Sequence, residues 1–85
     1  MTDQGQGRVR ALADVRGLTR AEKHCKEAWY EVDDLNRNVG PSTATSTVVL
    51  LEESMGKLIT LVWRIGAERD AIAVRYGIEP SEYED

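Results

Sequence analysis

The chain has 85 residues, 41% hydrophobic and 31% charged, with a net charge of −4. That length allows one domain with a thin core and leaves no room for a Rossmann unit and a partner domain. The acidic balance argues against a protein built to hold nucleic-acid backbone, which needs a basic footprint.

Charge is spread unevenly. Residues 1–30 carry six basic and four acidic side chains, and residues 31–85 carry five and eleven. The single cysteine, Cys25, excludes an intrachain disulfide and fits a reducing, cytoplasmic setting. No apolar signal segment is expected in MTDQGQGRVR, and the longest apolar run, Val48 to Leu51, is far short of a bilayer span. No membrane partner is therefore expected. With no phenylalanine, Trp29, Trp63 and the aliphatic residues must build the core.

Residues 1–7, rich in glycine and glutamine, read as a disordered start. Arg8 to Arg16 reads as a short helix with Val9, Leu12, Ala13 and Val15 apolar, ended by Gly17. Thr19-Arg20-Ala21-Glu22 has the form of a capping box and predicts the start of a longer helix. Its apolar seam is Ala21, Cys25, Ala28, Val32, Leu35 and Val39, with Trp29 at the edge. Glu22 with Lys26, and Asp33 with Arg37, are favourable i,i+4 pairs. Gly40-Pro41 stops this helix.

Ser42 to Thr47 suits a second helix start, with Pro41 tolerated in its first turn. That helix is predicted to run to about Tyr76, a length of roughly 45 Å. Gly77 is the expected C-cap, Ile78 its hydrophobic contact, and Pro80 prevents continuation. One apolar stripe holds Val48, Leu51, Met55, Leu58, Val62, Ile65, Ile72 and Tyr76, widened by Leu50 and Leu61. A second stripe, further round the helix, holds Val49, Gly56, Trp63, Ala67 and Val74. One amphipathic neighbour cannot cover both.

The fold class expected is all-α: an antiparallel helical hairpin with a short N-terminal helix, assembling into a homo-oligomeric helix bundle. The organisation is a disordered 1–7, a helical domain over 8–78 and a solvated acidic tail over 79–85. Pairing outward from the Gly-Pro turn sets Val32 near Met55, Cys25 near Val62 and Ala21 near Ile65. The second stripe then forms the oligomer interface, with Gly56 letting two backbones approach.

Arg69 falls on the first apolar stripe, where a guanidinium needs a carboxylate partner; the register suggests Asp14. It reads as a structural ion pair or an anion-binding group. Lys23, Lys26, Tyr30 and Arg37 share one face of the first long helix, and cations around an aromatic ring suit a phosphate or nucleobase. Asp33 and Asp34 cancel part of that charge, so a plain solvated face competes with a ligand surface. His24 has Glu27 and Glu31 within helical reach but no metal-site spacing, and Cys25 reads as a small core residue. A carboxylate cluster for magnesium is incomplete: Glu27, Glu31 and Asp34 on one helix meet only Glu52 and Glu53 on the other. There is no glycine-rich phosphate loop, Ser-His-Asp set or CxxC. No metal or cofactor is expected.

The layout, with the string Val49-Leu50-Leu51-Glu52-Glu53-Ser54-Met55 early in the last helix, resembles the small helical phage proteins that sequester cyclic nucleotides and blunt CBASS defence. The resemblance covers about residues 16–65 and implies a compact oligomer with nucleotide pockets between subunits and no catalysis. It carries over no ligand-contacting residue.

The function expected is a non-enzymatic homo-oligomer acting by protein–protein interaction, of phage-type or regulatory accessory kind, with an unidentified protein partner. The alternative is a sponge for a cyclic nucleotide or other small anion, using Lys23, Lys26, Tyr30, Arg37 and Arg69. A metal-dependent nucleotide hydrolase ranks last.

Overall fold

The computed structural model describes residues 2–84; Met1 and Asp85 lie outside the described residues. It is an antiparallel hairpin of α1 (Thr2–Arg37) and α2 (Thr45–Tyr76), followed by a single 3₁₀ turn, Pro80–Glu82. The hairpin is long and narrow, 63 × 20 × 14 Å.

The short N-terminal helix and the first long helix are one continuous element, which corrects the expected break at Gly17. A single glycine costs a helix about 1 kcal/mol relative to alanine, too little to outweigh packing on both sides. Thr19 does not cap a new helix either. Its hydroxyl donates to the Val15 carbonyl at 2.8 Å, a bond made inside a running helix. The same helix takes in residues 2–7, which the sequence reads as disordered.

Continuity also fixes the phase of the α1 seam. From the buried Ala11 and Val15, positions at heptad spacing lead through Leu18, Glu22, Cys25, Trp29, Val32 and Asn36, all partly buried. Leu35, expected in the seam, is exposed. Trp29, expected at its edge, lies in it.

α1 ends two residues before the expected stop. The Asn38 side-chain amide donates to the Asp34 carbonyl at 2.7 Å and closes the last turn. α2 starts at Thr45, after an extended Ala44 with no side-chain cap, so Pro41 and Ser42 belong to the turn. At the other end the expectation holds. Gly77 is left-handed at φ 63°, the Ile78 N–H donates to the Ala73 carbonyl at 2.8 Å, and Ile78 is buried.

The core is small and sits at the open end of the hairpin. Ala11, Val15, Ala73 and Ile78 form it, with Leu12, Ile72 and Tyr83 packed around them. Val62 is buried further along α2. No helix among the described residues is long and apolar enough to cross a membrane.

Gly17 and Gly77 should respond to alanine with opposite signs. A Cβ at Gly17 meets nothing within 4 Å, so Gly17→Ala should stabilise by about 0.5–1 kcal/mol in urea denaturation. Gly77→Ala forces a positive φ on a residue with a Cβ and should cost about 1–2 kcal/mol.

Candidate functional site

The candidate groups lie between the helices, on the outside of α1 and on the outside of α2. Arg69 lies between the helices, with 17% of its side chain exposed. Its Nη1 donates to Glu22 Oε1 at 2.7 Å, and its Nε donates to Asp70 Oδ1 at 3.0 Å. The partner is therefore Glu22, not Asp14. A helical side chain leans toward its own N-terminus, so the Arg69 guanidinium lies level with Gly66, which faces Glu22. Burial alone lowers the Arg69 pKa, but the hydrogen bonds to Asp70 and Glu22 and their charges raise it, with a net upward shift.

Gly66 leaves the space that the Glu22 carboxylate fills. A Cβ there would sit 2.7 Å from Glu22 Oε2. The close approach expected at Gly56 is between two chains; within the single chain nothing lies within 4 Å of a Cβ there. Gly66 carried a sequence signal all the same: a glycine one turn before an arginine on an apolar stripe.

The basic candidates on α1 do not gather around one point. Lys26 approaches the same Glu22 carboxylate at 3.9 Å, so Lys26 and Arg69 share one counter-ion. Arg37 pairs with Asp33 at 3.0 Å. Tyr30 is exposed, with its ring edge-on to Trp29 at 5.3 Å. Lys23 instead lines a cleft of about 330 Å³ with Arg16, Thr19, Arg20, Tyr83 and the acids Glu82 and Glu84. Arg16 and Arg20 were not singled out in the sequence, although Arg16, Arg20 and Lys23 stand at i, i+4 and i+7.

That cleft exists because the C-terminal segment folds back instead of forming a solvated acidic tail. Arg8 Nη2 reaches both Glu82 carboxylate oxygens at 3.0 Å, and Arg16 Nε donates to the Glu82 carbonyl at 3.1 Å. Tyr83 lies under the Arg69 guanidinium, 5.6 Å from the ring centre. The hydrogen bond from the Glu79 N–H, followed by Arg8, holds the Glu82 pKa below its ordinary 4.5. The missed signal was the pair of apolar residues, Ile78 and Tyr83, within the acidic stretch.

The second stripe of α2 is open to solvent along its length. Val49, Gly56, Trp63, Ala67 and Val74 are all exposed, Trp63 at 69% and Val74 at 84%. Leu50 and Leu61 are exposed on the other flank. His24 makes only a 3.5 Å approach to Glu27, and no group of three or more His, Cys, Asp or Glu side chains gathers to hold a metal among the described residues. Compared with known proteins, the chain matches no family model, no curated protein and no solved structure.

Gly66 and Glu22 should be energetically coupled. With Glu22→Ala in place, Gly66→Ala should stabilise by about 1 kcal/mol through helix propensity alone. With Glu22 present, the displaced carboxylate should erase that gain, and a double-mutant cycle reads the difference. Glu82 should show in the acid limb. Its folded pKa lies below its unfolded one, so its contribution is complete above about 4.5 and is lost as pH falls through the folded value. Glu82→Gln should flatten that part of the stability-versus-pH curve, measured by circular dichroism.

Proposed function

We infer that this protein is a non-enzymatic homo-oligomer that assembles through the apolar outer face of α2 and acts by protein–protein interaction. The supporting observation is uncovered surface. The single chain exposes 6,471 Å², whereas a compact monomer of 9.5 kDa exposes about 5,000 Å². The excess comfortably exceeds the roughly 800 Å² that each partner buries in a standard protein–protein interface. It includes large apolar side chains on one helix face, Trp63 and Val74 foremost, and exposed apolar patches mark interaction surfaces. The small core of the lone hairpin points the same way, because a domain this size seldom gains enough from one thin seam.

A second reading, a small-anion sponge, draws on one feature: Arg16, Arg20 and Lys23 beside the Tyr83 ring in the C-terminal cleft. Calorimetric titration with cyclic, mono- and diphosphate nucleotides tests it, and heat exchange abolished by Arg20→Ala would favour it over the interaction reading.

The leading reading is checked by mass. Sedimentation equilibrium at micromolar concentration should give a multiple of 9.5 kDa, and Trp63→Glu, which sets a charge in the stripe, should reduce the mass to one chain with helicity retained. An unchanged mass for Trp63→Glu removes this face as the interface.

A further inference from the structure

The outer stripe of α2 has an internal symmetry. Val49, Gly56, Thr60, Trp63, Ala67 and Val74 follow heptad spacing once Glu53 and Asp70 are included. Read from either end, the order has the same chemistry: a valine, an acid, a small residue, then the central Thr60 and Trp63. We propose that a second copy of this chain docks on this stripe antiparallel, about a two-fold axis beside Leu61 and Val62, so that Gly56 faces the partner's Ala67. The proposal rests on the homo-oligomer reading and adds the identity and direction of the partner.

An isologous interface needs a surface that matches itself under a two-fold rotation; the valine and small-residue positions of this stripe do so only when the second copy runs the other way, which also sets Glu53 level with the partner's Asp70, a like-charge contact that the apolar positions must offset. Val49 then meets the partner's Val74, and Trp63 lies against the partner's Thr60, a large ring beside a small side chain. Glycine against alanine allows the backbones to come close at two symmetric places. A parallel pair instead stacks Trp63 on the partner's Trp63 at one level and aligns the two helix dipoles unfavourably.

Two of the three polar groups on the stripe are already bonded within the chain. The Thr60 hydroxyl donates to the Gly56 carbonyl at 2.9 Å, leaving its methyl group to pack. Asp70 already accepts from Arg69 Nε at 3.0 Å. The pairing also compensates an imbalance in the hairpin. Among the described residues, every buried one lies within Ala11–Val15 or Val62–Ile78, so the half nearer the turn has none. Antiparallel docking sets the weakly covered half of each α2 against the well-packed half of the other. The whole-chain excess of exposed surface leaves room for an interface of standard size.

The test uses the full chain with Cys25→Ala, so that introduced cysteines are the only thiols. Val49→Cys and Val74→Cys are made separately, and each is oxidised alone and as an equal mixture, with sedimentation run in parallel. The expected result is a dimer mass, with covalent pairs abundant in the mixture and scarce in either variant alone. A dimer in which Val49→Cys links to itself, or in which no arrangement links, overturns the antiparallel pairing and leaves the homo-oligomer reading standing. A single-chain mass overturns both.

A second pair of variants guards against misfolding. Nothing lies within 4 Å of a Cβ at Gly56 in the single chain, so Gly56→Leu should fold and hold its helicity. It should nevertheless weaken the dimer about ten-fold by wedging the backbones apart. Leu50→Gln, on the opposite flank, should leave the dimer unchanged. If Leu50→Gln weakens it while Gly56→Leu does not, the interface lies on the other flank and the proposal fails.

Discussion

Two helices laid side by side can hide only the strips along which they touch, and almost everything about this chain follows from that limit. α1 has one apolar seam and spends it on α2. α2 has apolar side chains on three sides and can spend only one of them on α1. Hydrophobic gain scales with area removed from water at about 25 cal/mol per Å², so the uncovered sides represent stabilisation the single hairpin does not collect. The elongated shape and the exposed Trp63 and Val74 are consequences of that geometry.

A thin seam built on regular spacing also has a register problem. Val, Leu and Ile repeat along α2 closely enough that a one-heptad slip would still match apolar side chains to apolar side chains. The group that does not tolerate such a slip is Glu22. Its carboxylate pairs with the Arg69 guanidinium in the space left at Gly66, and that combination occurs at one level of the hairpin. An ion pair only about one-sixth exposed gains little net stability against its desolvation. Its effect falls on alternatives: shifted by a heptad, the charge would be buried without a partner, which costs far more than the pair gains. The ion pair thus selects one alignment, as polar residues in coiled-coil seams do.

The parts of this structure that were legible in the sequence are those set by local chemistry. The all-helical hairpin, the Gly77 cap with Ile78 folded beneath it, the i,i+4 pairs Glu22–Lys26 and Asp33–Arg37 and the second stripe of α2 that α1 leaves uncovered each depend on neighbours within a turn or two. What was not legible depends on contacts distant in sequence. Gly17 and Thr19 look like a boundary locally, but packing of Ala11 and Val15 against Ala73 and Ile78 carries the helix through it. Ala21, Cys25, Ala28, Val32 and Val39 are partly buried as the seam predicts, while Leu35 turns outward and Trp29 comes in. Arg69 lies on the expected stripe, yet backbone register alone points to Asp14, because the side chain leans a turn back to reach Glu22. The acidic C-terminal stretch was read by its charge, whereas its position is set by Ile78, Tyr83 and the two arginines that hold Glu82.

The two ends of the hairpin consequently differ in strength. At the open end the returning C-terminal segment adds a third layer: Ile78 enters the core, Tyr83 covers it, and Arg8 and Arg16 fasten Glu82 above. At the turn end there is no third layer, and Asn36 Oδ1 is buried there without a hydrogen-bond partner among the described residues. A buried acceptor left unpaired costs about 1–3 kcal/mol, against a seam that has no fully buried side chain to offset it. Local opening free energy tracks burial and satisfied hydrogen bonds, so it must rise from the turn toward the C-terminal segment. A chain ordered in this way has its firm half and its adhesive half on the same helix. The firm half of α2 holds the outer stripe in shape, while the half near the turn, least supported from within, gains most from being covered from outside.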